Sequence, residues 1–182
     1  ITANEVVATE IFNKKIPSLY RTHGEPDVKK VEAWLDTAYS FGVFTDNIKY
    51  PIDNKTIKDL SNKASKSKYS FILNQQLVRC MMRAEYSIEN TGHFGLASKA
   101  YTHFTSPIRR YPDLVVHRIL LNELNFSDLK DTYDELYTLS PTMSKLERQA
   151  DDSEYEISQF KKIEYLKNHY DDKFDAYITK IT

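Results

Sequence analysis

The chain has 182 residues, 41% of them hydrophobic, with a net charge of −1, so it is long enough for one buried core and too apolar for a disordered segment. No apolar run approaches the roughly 20 residues a membrane-spanning helix needs, and ITANEVVATE lacks the basic start and apolar centre of a signal peptide. The one cysteine, Cys80, excludes an internal disulfide and argues against a zinc site, the four glycines make neither a phosphate-binding loop nor a dinucleotide fingerprint, and a cytoplasmic setting is expected.

Residues 3–14 suit a short helix that ends before Pro17, and residues 18–22 read as a short strand. Val28, Val31, Trp34, Leu35, Ala38 and Phe41 recur at helical spacing, and Gly42 stands where that helix should stop. Residues 43–54, with Pro51 and several Asn and Asp, form a loop. A short helix is expected over 57–64 and a stronger one over 69–85, with Ile72, Leu73, Gln76, Leu77, Cys80 and Met81 on one side. Asn90-Thr91-Gly92 marks a turn, residues 93–104 run extended, and 107–124 are helical. Met143, Leu146, Ala150, Ile157, Phe160, Ile163 and Tyr170 trace an apolar stripe along a long helix, and 174–181 alternate like a strand. The class is α+β, mostly helical, with a few short strands. The chain starts in helix-forming sequence and ends in a strand with nothing to pair with, so it is expected to be a piece of a longer polypeptide.

Charge is unevenly spread. Residues 55–118 carry eleven Lys or Arg against four Asp or Glu, whereas 119–182 carry eight against fourteen. A basic middle suits an anionic partner, of which nucleic acid is the commonest. Lys63, Lys66 and Lys68, set between serines, read first as a solvated run.

The most informative stretch is 93–118, HFGLASKAYTHFTSPIRRYPDLVVHR. Ser106 is a good N-cap and Pro107 fits a first helical turn, so a helix starting there would turn its free N–H groups and Arg109 and Arg110 toward an anion such as phosphate. Arg109 could instead pair with Asp113 at i+4, and Arg110, about 100° away around the helix, could hold a phosphate or a carboxylate. Asp113 and His117, also at i,i+4, suit an acid/base pair or a pair that orients the helix. In extended backbone His93, Tyr101 and His103 share parity, so with Phe104 they could line a channel by stacking or belong to the core. Glu147 completes Ser144-x-x-Glu147, a capping-box pattern.

This stretch resembles the signature of the ribonuclease II/RNase R family, in the second half of its catalytic domain. ITANEVVA, SLYRTHGEPD and the tail from Phe174 resemble flanking pieces of the same family. The resemblance implies a catalytic-domain portion over 1–170 and the start of an RNA-binding barrel over 171–182. It implies a processive, hydrolytic 3′→5′ exoribonuclease that degrades single-stranded RNA to nucleoside 5′-monophosphates with Mg2+. It sets Arg109 against the scissile phosphate and Glu147, in KLERQADD, near the 3′-terminal nucleotide. Ser106, Arg110, His93, Tyr101 and His103 become RNA-contact candidates, and Asp113 and His117 their support. The family's metal-binding aspartates lie earlier in the domain, and no such cluster precedes the motif here. Asp151-Asp152 and Asp171-Asp172 have the context of solvated helix charges. Partners implied are single-stranded RNA, the upstream half of the catalytic domain and the C-terminal barrel, and the chain alone is expected to be inactive. A non-catalytic RNA-binding or scaffold protein of the same fold is the alternative.

Overall fold

The computed structural model describes residues 1–44, 52–124 and 133–176. Helix α1 (Thr2–Asn13) leads into strand β1 (Tyr20–Thr22), then α2 (Val28–Ser40), α3 (Asn54–Ser65) and α4 (Ser70–Cys80). Strand β2 (Glu85–Ser87), a 3-10 turn (Phe94–Leu96), α5 (Tyr111–Glu123) and α6 (Tyr133–Lys167) complete the described chain.

Helices α2, α3 and α4 form one apolar unit. The Asp27 carboxylate caps α2 by accepting from the Lys29 and Lys30 amides, and Asp53 caps α3 through the Thr56 amide. Gly42, at φ +67°, closes α2 as the sequence suggested, letting the Val43 amide reach the Ala38 carbonyl. Val31, Trp34, Leu35 and Ala38 then face Leu60, Ala64, Leu73, Leu77 and Cys80 in a single cluster. The Trp34 indole N–H donates to the Leu73 carbonyl at 2.8 Å, so its one polar atom is satisfied inside that core. Cys80 is the small buried residue expected, and burial pushes its thiol pKa up.

Helix α4 is shorter than its sequence suggests. Residues 81–85 are acceptable helix formers, yet the chain turns extended at Met81 and residues 85–87 become β2. Distant partners override the local preference. The Asp27 amide takes the Cys80 carbonyl, β2 pairs antiparallel with β1 in the register Arg21↔Tyr86, and the Tyr86 amide donates to the Ser144 hydroxyl of α6.

Two smaller clusters hold the remaining elements on this β pair. Ala8 and Ile11 of α1 meet Tyr20, Ala100 and Val116, while Leu19, Val115, Ile119 and Leu136 join α5 to α6. The apolar stripe of α6 is real but largely uncovered: Leu146, Ile157, Phe160, Ile163 and Tyr170 are all more than half exposed. Phe174 is in no strand, and the rest of the strand expected there, from 177 on, lies outside the described residues. So does most of the loop expected over 43–54.

Candidate functional site

The segment 93–104 is not uniformly extended. His93 makes bridges to His23 and Ser98, and the intervening 3-10 turn ends at Ala97 in the left-handed region, φ +53°. Beyond it the chain runs alongside β1, where the Arg21 amide donates to the Tyr101 carbonyl and the Thr102 hydroxyl to the Leu19 carbonyl. The shared parity of His93, Tyr101 and His103 survives the interruption. Their rings stand 5.4 and 6.0 Å apart in edge-to-face contact, and His93 stacks on His23 at 5.0 Å.

These rings differ in what they can offer. Tyr101 is 7% exposed, and its hydroxyl accepts from the Asn4 amide group. It has no free face for a base, so of the two roles left open by the sequence it takes the core one. His103 is partly exposed and its Nδ1 is bonded to the Tyr86 hydroxyl at 2.8 Å. Burial, then the cations Arg110 and Arg21, push its pKa down to about 4. Burial, then His23 and Arg21, also push His93 down to about 4, and its Nδ1 is buried without a partner among the described residues.

The helix expected from Pro107 begins later. Residues 106–109 form a turn closed by the Arg109 and Arg110 amides on the Ser106 carbonyl, Arg110 is extended, and α5 starts at Tyr111. Pro112 is the reason. It has no N–H to bond the Ile108 carbonyl, so it breaks a helix running through from Pro107 but fits the first turn of one that starts at Tyr111. Arg109 is therefore not in a first helical turn. It lies on the turn itself, exposed, and its side chain has no hydrogen bond or ion pair among the described residues. The Ser106 amide is not free for an anion either, because it donates to Asp113 Oδ1 at 2.8 Å.

Asp113 is fully buried and organises this turn. The same Oδ1 that takes Ser106 also takes the Arg110 guanidinium at 2.8 Å, so Arg110 has the carboxylate partner, and the Arg109–Asp113 pairing is absent. Asp113 Oδ2 and Arg110 Nε stay buried without partners among the described residues. His117 does not pair with Asp113. It stacks on Phe104 at 4.2 Å and its Nε2 bonds the Phe104 carbonyl at 2.8 Å. Two α5 side chains thus fix both ends of the segment that carries Arg109.

Glu147 sits mid-way along α6, so it caps nothing; Ser144 instead accepts from Tyr86. Its carboxylate pairs with Arg21 at 2.5 Å. That guanidinium also lies 4.7 Å over the Tyr86 ring. Arg21 and Tyr86 are the residues that sequence reasoning missed. A lone arginine inside the strand SLYRT was a usable signal, whereas Tyr86 fell between the helix expected over 69–85 and the turn at 90–92, where no element was assigned. Together Arg21, Tyr86, His103, Arg110, Asp113 and Glu147 form one polar centre beside the exposed Arg109 turn.

Among the described residues no three His, Cys, Asp or Glu side chains converge as metal ligands, and Asp151, Asp152, Asp171 and Asp172 are exposed. This arrangement can bind and polarise an anion; it does not fit a magnesium ion. No described helix is long and apolar enough to cross a membrane.

A family model described as the RNB domain matches residues 1–125. Ribonuclease R 1 of Lactococcus lactis is 36% identical over the whole chain, which covers 23% of that protein. RNase R of Mycoplasma genitalium, solved with ribose-methylated single-stranded RNA, superposes with a TM-score of 0.83 at 28% identity, over 93% of this chain and 27% of that one. Yeast Ssd1, a pseudonuclease, superposes with a TM-score of 0.66 at 26% identity, over 78% of this chain and 18% of that one. The chain spans about a quarter of the length of the curated relatives it matches.

Proposed function

This chain belongs to the RNB domain family, and we propose that it supplies the phosphate-facing part of a 3′→5′ exoribonuclease that hydrolyses single-stranded RNA to nucleoside 5′-monophosphates. The observation that carries this reading is Arg109: a guanidinium held out on a turn, unpaired among the described residues, while its neighbour Arg110 is bound by Asp113. A guanidinium offers a planar fork to phosphate oxygens, and fixing the turn beforehand removes reorganisation at the moment of reaction. In this reading Arg109 contacts the phosphoryl oxygens and stabilises the charge that grows on them. Asp113, Arg110 and His117 set its position. Glu147 and His103 meet the sugar–phosphate of the terminal nucleotide. The RNA bound by the M. genitalium relative supports the substrate class.

Magnesium enters the proposal through residues upstream of this chain, since no three carboxylate, His or Cys side chains converge on an ion among the described residues. The chain alone is accordingly inactive in this reading, and the upstream half of the catalytic domain and a C-terminal RNA-binding barrel are its partners. The likeness to Ssd1 gives a second reading some weight, an RNA-binding protein that keeps the fold without the chemistry.

Single-turnover cleavage by the protein as its gene encodes it separates the two. Arg109→Ala should lower the rate constant by about 10²–10³-fold, roughly 3–4 kcal/mol, with RNA affinity changed far less and Arg109→Lys recovering only part. An Arg109→Ala protein that cleaves bound RNA at the parental rate removes Arg109 from the chemistry. A parental protein that binds RNA and never cleaves it establishes the second reading.

A further inference from the structure

Tyr86 is a buried group whose hydroxyl the function above leaves unused. The residue is 6% exposed, and its hydroxyl makes one hydrogen bond, to His103 Nδ1. Burial first, then the Glu147 charge, push its pKa up to about 12, so the phenol keeps its proton. Two arrangements of the pair are conceivable. If Nδ1 carried the imidazole proton, the Tyr86 oxygen would accept it, and the phenol's own proton would be buried with no acceptor among the described residues. If the phenol donates to Nδ1, every proton has a place and the imidazole proton sits on Nε2. The second arrangement leaves nothing unpaired at this bond, and in the partly exposed His103 ring Nε2 has no hydrogen bond among the described residues, which leaves its proton for a ligand.

The surroundings hold that state. His103 is faced by Arg21 from β1, Tyr86 from β2, His93 and Tyr101 from its own segment, Arg110 from the turn and Asp113 from α5. The Asp113 charge favours a second proton on the ring, but its Oδ1 is held by Arg110 and Ser106, and burial with the Arg110 and Arg21 charges outweighs it. Tyr86 is itself clamped, with Arg21 over its ring and its amide on Ser144.

We propose that Tyr86 is a positioning residue: its hydroxyl, donating to Nδ1, fixes His103 as a neutral imidazole whose Nε2–H donates to an oxygen of the RNA backbone. This rests on the RNA reading above, and it makes His103 a substrate contact of fixed polarity rather than a general acid or base.

Two measurements on the full gene product, labelled with 15N-histidine, test the lock and the contact separately. Without RNA, the ring nitrogen shifts of His103 should show a protonated Nε2 and a bare Nδ1 from pH 5.5 to 8, and Tyr86→Phe, which preserves the ring volume, should give mixed tautomers. With RNA, His103→Leu should slow single-turnover cleavage by about 10- to 100-fold, the scale of a lost hydrogen bond to a charged group. His103→Gln, which keeps an amide N–H near the Nε2 place and cannot titrate, should lose about ten-fold less than His103→Leu. Tyr86→Phe should fall between the two. A ring protonated at Nδ1 overturns the lock. His103→Gln as slow as His103→Leu, with a parental rate that falls around the ordinary histidine pKa of about 6.5, overturns the donor role in favour of proton transfer. A parental protein that cleaves no RNA overturns the functional reading and the donor role with it, while the tautomer result still decides the lock.

Discussion

The α2–α4 unit and the polar centre are built on opposite principles. The first is apolar and local: its core residues all lie between Val31 and Cys80, and its one buried indole finds a backbone carbonyl. The second joins residues from far apart in the chain, Arg21 to Glu147 and Tyr86 to Ser144, through charge and hydrogen bonds that burial makes costly to leave unmet. One region stores stability in buried area and tolerates slow drift of its surface. The other holds polar atoms on Arg110, Asp113 and His93 that are buried without partners among the described residues, a pattern that recurs where a site is shaped.

Breaking each region should leave a different signature. Asp113→Ala should have the largest effect, because it strands a partly buried guanidinium and frees the Arg109 turn together. About 3–5 kcal/mol of stability should go, and the cleavage rate per folded molecule should fall as well; a rate untouched by this change would detach the turn from the chemistry. Leu73→Ala, in the apolar unit, should cost about 2–4 kcal/mol by denaturant titration while the rate per folded molecule stays parental. If its rate fell as for Asp113→Ala, the two regions would be one cooperative device. The smallest effect concerns pH. His103 and His93 have folded pKa values near 4, below the ordinary histidine value, so the unfolded chain takes up protons first as pH falls. Their contribution is present above about pH 6.5 and is lost on the way down to about 4. Melting temperatures over that window should fall less steeply for His103→Gln than for the parent, and parallel curves would deny His103 a buried neutral state.

The same contrast explains what the sequence could reveal. The apolar spacing of α2, its stop at Gly42 and a helix over 57–64 were legible because local chemistry decides them, although that helix starts earlier, at Asn54, behind the Asp53 cap. The importance of 93–118 was legible too, through Arg109, Arg110 and Asp113 in one short run. The start of α5 was misplaced, although Pro112 was in view, because Ser106-Pro107 is an equally good local start and only the Asp113 bond to the Ser106 amide decides between them. Strand β2 and the ion pair of Arg21 could not be read at all. Their partners lie 63 and 126 residues away along the chain, and neither has a periodicity that announces them. The apolar stripe of α6 was legible as a pattern, but spacing alone does not say whether anything covers it.

The span between Arg21 and Glu147 also orders events in time. Residues of the turn and α5 are neighbours in sequence, so that piece can close as soon as it has been made. Arg21 leaves the ribosome long before its carboxylate exists: at about 5–20 residues per second, the interval is on the order of ten seconds. During that wait the Arg21 guanidinium beside the Tyr86 ring lacks its carboxylate, and β2 lacks the Ser144 hydroxyl that receives its amide. The polar centre thus closes late, and nascent protein cannot display it until α6 has been synthesised through Glu147 and docked.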